Sequence, residues 1–225
     1  MTHMRRIPAP LSVATVAAAL LLPAALAGQT DIRLSPRVGW LDPVGAFGEA
    51  AALDDGNWVS YDEVGGMALL GADLTMASSP HWGMRIGMAT TVGGQATGVW
   101  DCRDQACPDI LLRVPSDVSV AVATADVMLT PPVALLGVRP FLLGGGGIVR
   151  HRFEFDPLSD EAITLEPGGD TRYDPAVHFG VGARWEGRSL ALEAGVEDLV
   201  SWPDRPSGGS QHAVAISAGF GIRMR

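Results

Sequence analysis

Hydrophobic and polar residues alternate with a period of two in eight separate segments of the chain. The last segment is the clearest: from Val214 onward, even-numbered positions are apolar and odd-numbered positions are small or charged. Successive side chains of a β-strand point to opposite faces, so this period predicts a strand with one apolar and one polar face. The sequence therefore predicts an all-β protein built from eight antiparallel strands.

Five further segments repeat this pattern without interruption. Their predicted apolar faces are Ile32, Leu34, Val38 and Trp40; Leu70, Ala72, Leu74 and Met76; Trp82, Met84, Ile86 and Met88; Val177, Phe179, Val181, Ala183 and Trp185; and Leu190, Leu192, Ala194 and Val196. The opposite faces combine glycine and alanine with charges of both signs.

Two segments are less regular. Residues 118–129 begin with valines at every second position, and the same parity would later place Asp126 on the apolar face. We therefore predict a bulge or register shift near Thr124. In residues 141–153, one face carries Phe141, Leu143, Val149 and Phe153, and the other carries Arg150 and Arg152.

The first 27 residues have the pattern of a secretory signal peptide. Two arginines precede a run of apolar residues from Leu11 to Leu22, and Ala25-Leu26-Ala27 forms a small-x-small cleavage site. The alternative is an N-terminal membrane anchor, although Pro23 interrupts the apolar stretch. We predict that residues 1–27 are removed and that residues 28–225 form one domain.

The polar faces favour a membrane barrel over a water-soluble one. A narrow lumen leaves room for small residues and for a few charges that pair across it, whereas glycine on an exposed face would only weaken the strands. Charged side chains predicted to form this lumenal network are Arg33, Arg37, Asp73, Arg85, Arg184, Glu193, Glu197 and Arg223.

The connections between the segments alternate in length. Short links follow the second, fourth and sixth segments, and long links (41–64, 101–117 and 154–171) follow the first, third and fifth. Outer-membrane barrels have short periplasmic turns and long external loops, and an even strand count places both termini in the periplasm. The links 41–64 and 154–171 contain six acidic residues each and no basic residue. Divalent cations could bridge these carboxylates to anionic lipid, but a solvated charged surface explains them as well.

Composition and charge narrow the function further. The formal net charge is −9, and all 16 basic residues are arginine, so nucleic acid is not an expected partner. Cys102 and Cys107 are separated by four residues, and in an exported protein such a pair is expected to form a disulfide. No cofactor or metal motif is present. Ser210 and His212 are the nearest approach to a serine–histidine pair, without an evident acidic partner.

The whole of residues 28–225 resembles the small eight-stranded outer-membrane β-barrels of the OmpA-transmembrane-domain and OmpX-like class. The C-terminal sequence AVAISAGFGIRMR resembles the assembly signal of that class, here carried by Phe220, Ile222 and Met224. The signal usually ends in an aromatic residue, whereas this chain ends in Arg225.

This resemblance implies an up-and-down transmembrane barrel in a Gram-negative-type outer membrane. It also implies a monomer that contacts outer-membrane lipid and lipopolysaccharide and is inserted by the barrel-insertion machinery. The expected role is structural or surface interaction, without a catalytic step. The alternatives are a narrow, porin-like channel and a soluble periplasmic lipocalin-like binder of a small apolar ligand. A lipid-modifying enzyme using Ser210 and His212 is a further alternative.

Overall fold

The computed structural model of the chain describes residues 31–44, 48–52, 58–101, 113–155, 158–159, 164–165, 168–187, 190–202 and 210–224. The predicted signal peptide and the two cysteines lie outside these ranges. Within them, no helix has the length and apolar character needed to cross a membrane. The described residues are almost entirely β-strand.

The strands, in chain order, are β1 (Asp31–Val44), β2 (Gly48–Ala52), β3 (Trp58–Val64), β4 (Met67–Ala77), β5 (Trp82–Val92), β6 (Gly94–Asp101), β7 (Arg113–Leu129), β8 (Val138–Phe155), β9 (Leu158–Ser159), β10 (Thr164–Leu165), β11 (Gly168–Glu186), β12 (Leu190–Ser201) and β13 (Gln211–Met224).

Eight of these strands close into an antiparallel barrel. The pairings run in the order β1, β4, β5, β7, β8, β11, β12 and β13, and β13 then pairs with β1. The closing pair aligns Ile32 with Met224, so both ends of the barrel sequence lie at the same rim. The prediction of an all-β, up-and-down, eight-stranded barrel is confirmed.

β4 and β5 of the barrel are continued by β3 and β6, and a glycine interrupts the strand at each of the two junctions. Gly93, with a φ of +73°, separates β5 from β6, and Gly66 precedes β4. A side chain at Gly66 would collide with the indole nitrogen of Trp40, so glycine lets that ring pack against the backbone. Beyond the breaks, β3 pairs with β6 and β6 pairs with β7.

The predicted long links are therefore partly strand. β2 and β3 lie within residues 41–64, while β8 and β11 extend into residues 154–171. The sequence predicts only that these links are long, and parts of them pair as strands. Their acidic composition suggests a loop, but pairing with neighbouring strands satisfies their backbone hydrogen-bonding groups.

The predicted faces are confirmed in the six regular segments. Inward positions such as Arg37 and Asp73 are buried, and outward positions such as Val38 and Ile216 are exposed. Met76 and Met84 depart from this rule, because both lie on the outward parity yet are buried.

The two irregular segments need correction. The pairing of β7 with β8 runs without a shift from Ser116–Phe155 to Leu129–Leu142, so the predicted bulge near Thr124 is wrong. Asp126 keeps the parity of Val118, Val120 and Val122, and that whole face points inward. The apolar face of residues 141–153 also points inward, which leaves Arg150 and Arg152 on the outer side of the barrel.

These inward side chains form an apolar layer across the loop-side half of the lumen. Phe153 is completely buried in this layer, and the members of the layer come from most of the barrel strands. The members of this apolar layer include Leu41, Met67, Leu69, Val118, Val120, Val122, Val149, Phe153 and Leu199. The lumen is therefore mainly apolar near the long links, where the described residues also include the buried His151–Asp174 pair at 3.1 Å, and it is charged farther from them.

Candidate functional site

The charged residues predicted for the lumen occupy inward register positions and divide into two groups. The central cluster combines four of them with Asp126 and His178, and its members are Arg37, Asp73, Arg85, Asp126, His178 and Glu197. The mouth group lies at the rim formed by the short turns: Asp31, Arg33, Arg139, Arg184, Glu186, Glu193 and Arg223.

Glu197 is the hub of the central cluster. One of its carboxylate oxygens lies 2.6 Å from Arg85 Nη1, and the other lies 2.7 Å from Arg37 Nη1. His178 Nε2 approaches the same carboxylate at 3.3 Å. Glu197 thus joins three cationic side chains that come from three different strands.

Asp126 forms the second centre of the cluster. Its carboxylate lies 2.7 Å from His178 Nδ1 and 3.3 Å from Arg85 Nη2, and it accepts a hydrogen bond of 3.2 Å from the Thr124 hydroxyl. Both ring nitrogens of His178 therefore face carboxylate oxygens. Nε2 makes no hydrogen bond at its distance from Glu197, and only the imidazolium form, which carries an N–H on both nitrogens, pairs electrostatically with both carboxylates.

With His178 protonated, the central cluster contains three positive and three negative groups. Asp73 completes it at 3.5 Å from both Arg37 and Arg85. Every member is buried, and an unpaired charge at such a depth would cost several kcal/mol. Mutual neutralisation therefore explains how six ionisable groups share one narrow lumen.

Glycines on the inward face of β8 make room for these side chains. Gly145 is the register partner of Asp126, and a Cβ added there would lie 2.6 Å from Asp126 Oδ1. A side chain at Gly147 would likewise collide with the backbone of β7, at Ala123. Gly145 and Gly147 thus leave the lumen beside β8 free for the side chains of the central cluster.

The sequence pattern missed Asp126 and His178 as members of the cluster. Asp126 follows three valines on one face, which favoured an apolar assignment for that face. His178 sits on the predicted polar face, but it was not assigned a charge. The alternation within residues 118–128 could have indicated Asp126, because an uninterrupted strand places Thr124 and Asp126 on the same face as the three valines.

Except for Glu193, the members of the mouth group line a vestibule of about 320 Å³ at the short-turn rim. Arg33 bridges Asp31 at 2.7 Å and Glu186 at 2.9 Å, and Arg184 Nε donates to Glu193 at 2.8 Å. The vestibule therefore opens at the rim, and the charged side chains that line it form ion pairs. Deeper in the barrel, the space beside the central cluster shrinks to about 20 Å³.

The other candidate residues lie apart from the lumenal charges. Phe220, Ile222 and Met224 are exposed on the outer face of β13. His212 Nδ1 lies 3.2 Å from Asp198 Oδ2, which corrects the expectation that it has no acidic partner. Within the described residues, however, Ser210 makes no hydrogen bond to His212, so no nucleophile–base contact is formed. The described residues also contain no group of three or more His, Cys, Asp or Glu arranged to hold a metal ion.

No family model matches the chain, and neither does any curated protein sequence. Several solved structures are similar to it. OprG from Pseudomonas aeruginosa has a TM-score of 0.49 and 12% identity, over 87% of this chain and 96% of that one. A major outer membrane protein from Thermus thermophilus has a TM-score of 0.48 and 14% identity, over 87% of this chain and 99% of that one.

The attachment invasion locus protein Ail of Yersinia pestis has a TM-score of 0.45 and 13% identity, over 87% of this chain and 97% of that one. The pairings within this chain itself establish its fold as a closed, antiparallel, eight-stranded β-barrel.

Proposed function

We propose that this protein is an integral outer-membrane β-barrel with a closed lumen, which anchors acidic segments at the cell surface and performs no catalytic step. In this proposal residues 1–27 direct export, and the barrel-insertion machinery recognises the last strand. The assembled protein is a monomer surrounded by membrane lipid. The closed lumen distinguishes this role from that of a channel.

The observation that carries the proposal is the inverted distribution of side chains. Large apolar side chains are exposed around the outside of the barrel, while the ionised groups are buried within it. A water-soluble protein rarely exposes apolar surface on this scale, whereas hydrocarbon solvates it well. The exposed apolar residues include Leu34, Val38, Trp40, Leu70, Met88, Val127, Leu142, Phe179, Val181, Leu192, Val196, Ile216 and Phe220.

The height of this apolar surface fits a bilayer. On β8, twelve residues separate Val138 at the short-turn rim from Arg150, the first outward charge above it. At about 3.3 Å per residue and a tilt of about 40°, this corresponds to about 30 Å along the barrel axis. The apolar band of a membrane barrel is about 25 Å tall, so Arg150 would lie at its upper edge.

Aromatic side chains lie near both edges of the band. Trp82 and Trp185 are exposed near the short-turn rim, and Trp40, Tyr173 and Trp202 are exposed near the opposite edge. Aromatic residues concentrate at the two interfaces of a membrane because their rings are apolar and their N–H or O–H groups are polar. The short turns then face the periplasm, together with Ile32 and Met224, and the acidic segments face outward.

The filled lumen speaks against both alternatives. A channel would need a continuous polar path, but the apolar layer around Phe153 and the central cluster around Glu197 occupy successive levels of the lumen. A lipocalin-like binder would need an apolar cavity that opens to solvent. The rim vestibule is instead lined by charged residues such as Arg33 and Glu186.

The proposal is tested by placing one arginine at two heights on the outer face of β1. Val38 is 60% exposed and lies seven residues from Asp31; Val44 is 53% exposed and lies thirteen residues from it. These positions correspond to about 18 Å and about 33 Å along the axis, in the middle of the band and above it. V38R should therefore lose about 2–4 kcal/mol of stability in lipid, and V44R about 0–1 kcal/mol.

The measurement is urea unfolding of the protein refolded into liposomes, followed by the heat-dependent shift in gel mobility. Equal, small effects of V38R and V44R would mean that water surrounds both positions, and the membrane placement would be wrong. Planar-bilayer recordings of the wild-type protein test the closed lumen separately. We expect no single-channel steps, and reproducible steps would favour the channel.

A further inference from the structure

A groove crosses the outer face of the barrel just below the upper edge of the apolar band. It has a volume of about 500 Å³ and lies over β4, β5, β7, β8 and β11. Its floor is formed by Ala121 and Ala123 of β7, and larger side chains stand on either side: Leu70, Met88, Ile148 and Tyr173. The groove exists because β7 presents alanines outward where the neighbouring strands present longer side chains.

Arg150 bounds this groove on the side of the long links. Its register partners are Tyr173 on β11 and Ala121 on β7, so Arg150 and Tyr173 are adjacent on the outer face. Within the described part of the chain, the guanidinium makes no ion pair, and its buried Nε has no hydrogen-bond partner. A buried donor without an acceptor is unfavourable, which makes Arg150 a binding group for an anion.

The neighbouring charges do not satisfy Arg150. Arg152, the next outward residue of β8, forms an ion pair with Glu154. Asp117, the register partner of Glu154, is exposed nearer the long links. Arg152 is therefore already neutralised, whereas Arg150 faces the apolar groove without a carboxylate partner among the described residues. The groove thus has an apolar floor and a single free cation at its upper end.

We infer that this groove binds one phosphorylated glycolipid of the lipid A class from the outer leaflet, with an acyl chain on the alanine floor and a phosphate at Arg150. This inference rests on the proposed function, which places the long-link end of the barrel in the outer leaflet. The alanine floor accepts hydrocarbon, and a guanidinium binds phosphate with two parallel hydrogen bonds. The exposed Tyr173 ring lies beside Arg150 on the neighbouring strand β11, where an amphipathic side chain suits the interface.

The test is native mass spectrometry of the full chain, folded in detergent micelles and titrated with lipid A. We expect one molecule to bind at saturation. Arg150→Gln should weaken binding at least tenfold, and Ala123→Phe, which fills the groove, should do the same. Arg152→Gln is the matched control and should change the affinity less than twofold. Dephosphorylated lipid A should bind the wild-type protein at least tenfold more weakly.

Each other result would overturn the inference. Equal losses in Arg150→Gln and Arg152→Gln would indicate general charge attraction, and equal binding of phosphatidylglycerol would indicate a site for any anionic lipid. A dimer that lipid A does not dissociate would indicate a second copy of the chain in the groove. A heat-modifiable barrel that binds no lipid A would refute this site alone. A chain that stays soluble without detergent would refute the proposed function.

Discussion

Replacing Glu197 with glutamine removes the negative charge that joins the central cluster while leaving the size of the side chain almost unchanged. Glu197 contacts Arg85 at 2.6 Å, Arg37 at 2.7 Å and His178 at 3.3 Å, and its side chain is only 5% exposed. After the substitution, three cations would face the two remaining carboxylates, Asp73 and Asp126. Removing one partner of a buried ion pair typically costs about 3–5 kcal/mol.

We expect a loss near the lower end of that range, about 3 kcal/mol. Unlike a guanidinium, an imidazolium can lose its proton inside a protein, and loss of the proton from His178 would restore the charge balance of the cluster. The remaining cost is the loss of two short charged contacts and the weaker acceptance of hydrogen bonds by an amide. A loss of this size lowers the folding equilibrium constant by about two orders of magnitude.

The assay is urea unfolding of wild type and Glu197→Gln in liposomes, followed by tryptophan fluorescence. Glu154→Gln is the matched control, because Glu154 lies above the apolar band and pairs with Arg152 on the exposed outer face. Such a surface pair contributes about 0–1 kcal/mol. If Glu197→Gln is no more destabilising than Glu154→Gln, the neutral cluster does not stabilise the lumen.

Two further predictions concern the apolar layer and the cysteines. Phe153→Ala should cost about 3–5 kcal/mol, because Phe153 is fully buried and its removal leaves a cavity in the layer. Urea unfolding in liposomes measures this loss, and a loss below about 1 kcal/mol would show that the layer is loosely packed. Cys102 and Cys107 should resist alkylation in the unfolded protein until a reductant is added, as mass spectrometry can detect, whereas immediate double alkylation would refute the predicted disulfide.

The amino-acid sequence by itself determined the fold class and the orientation of six strands. In those segments one face is apolar and the other is small or charged, so only one orientation keeps charges such as Arg85 and Glu193 out of contact with hydrocarbon. The sequence also predicted the positions of the short turns, because few residues separate the alternating segments that they connect. In these regions the local pattern and the barrel favour the same arrangement.

Tertiary structure decided the orientation of β7 and β8. Both faces of these strands carry apolar residues, so alternation alone does not separate the lumen from the lipid. The decision depends on partners from distant strands: Asp126 meets Arg85 and His178 inside the barrel, and Phe153 fills the lumen above them. Burying Asp126 with its partners avoids an unpaired carboxylate in hydrocarbon. This free energy depends on residues of distant strands, so the local sequence pattern does not reveal it.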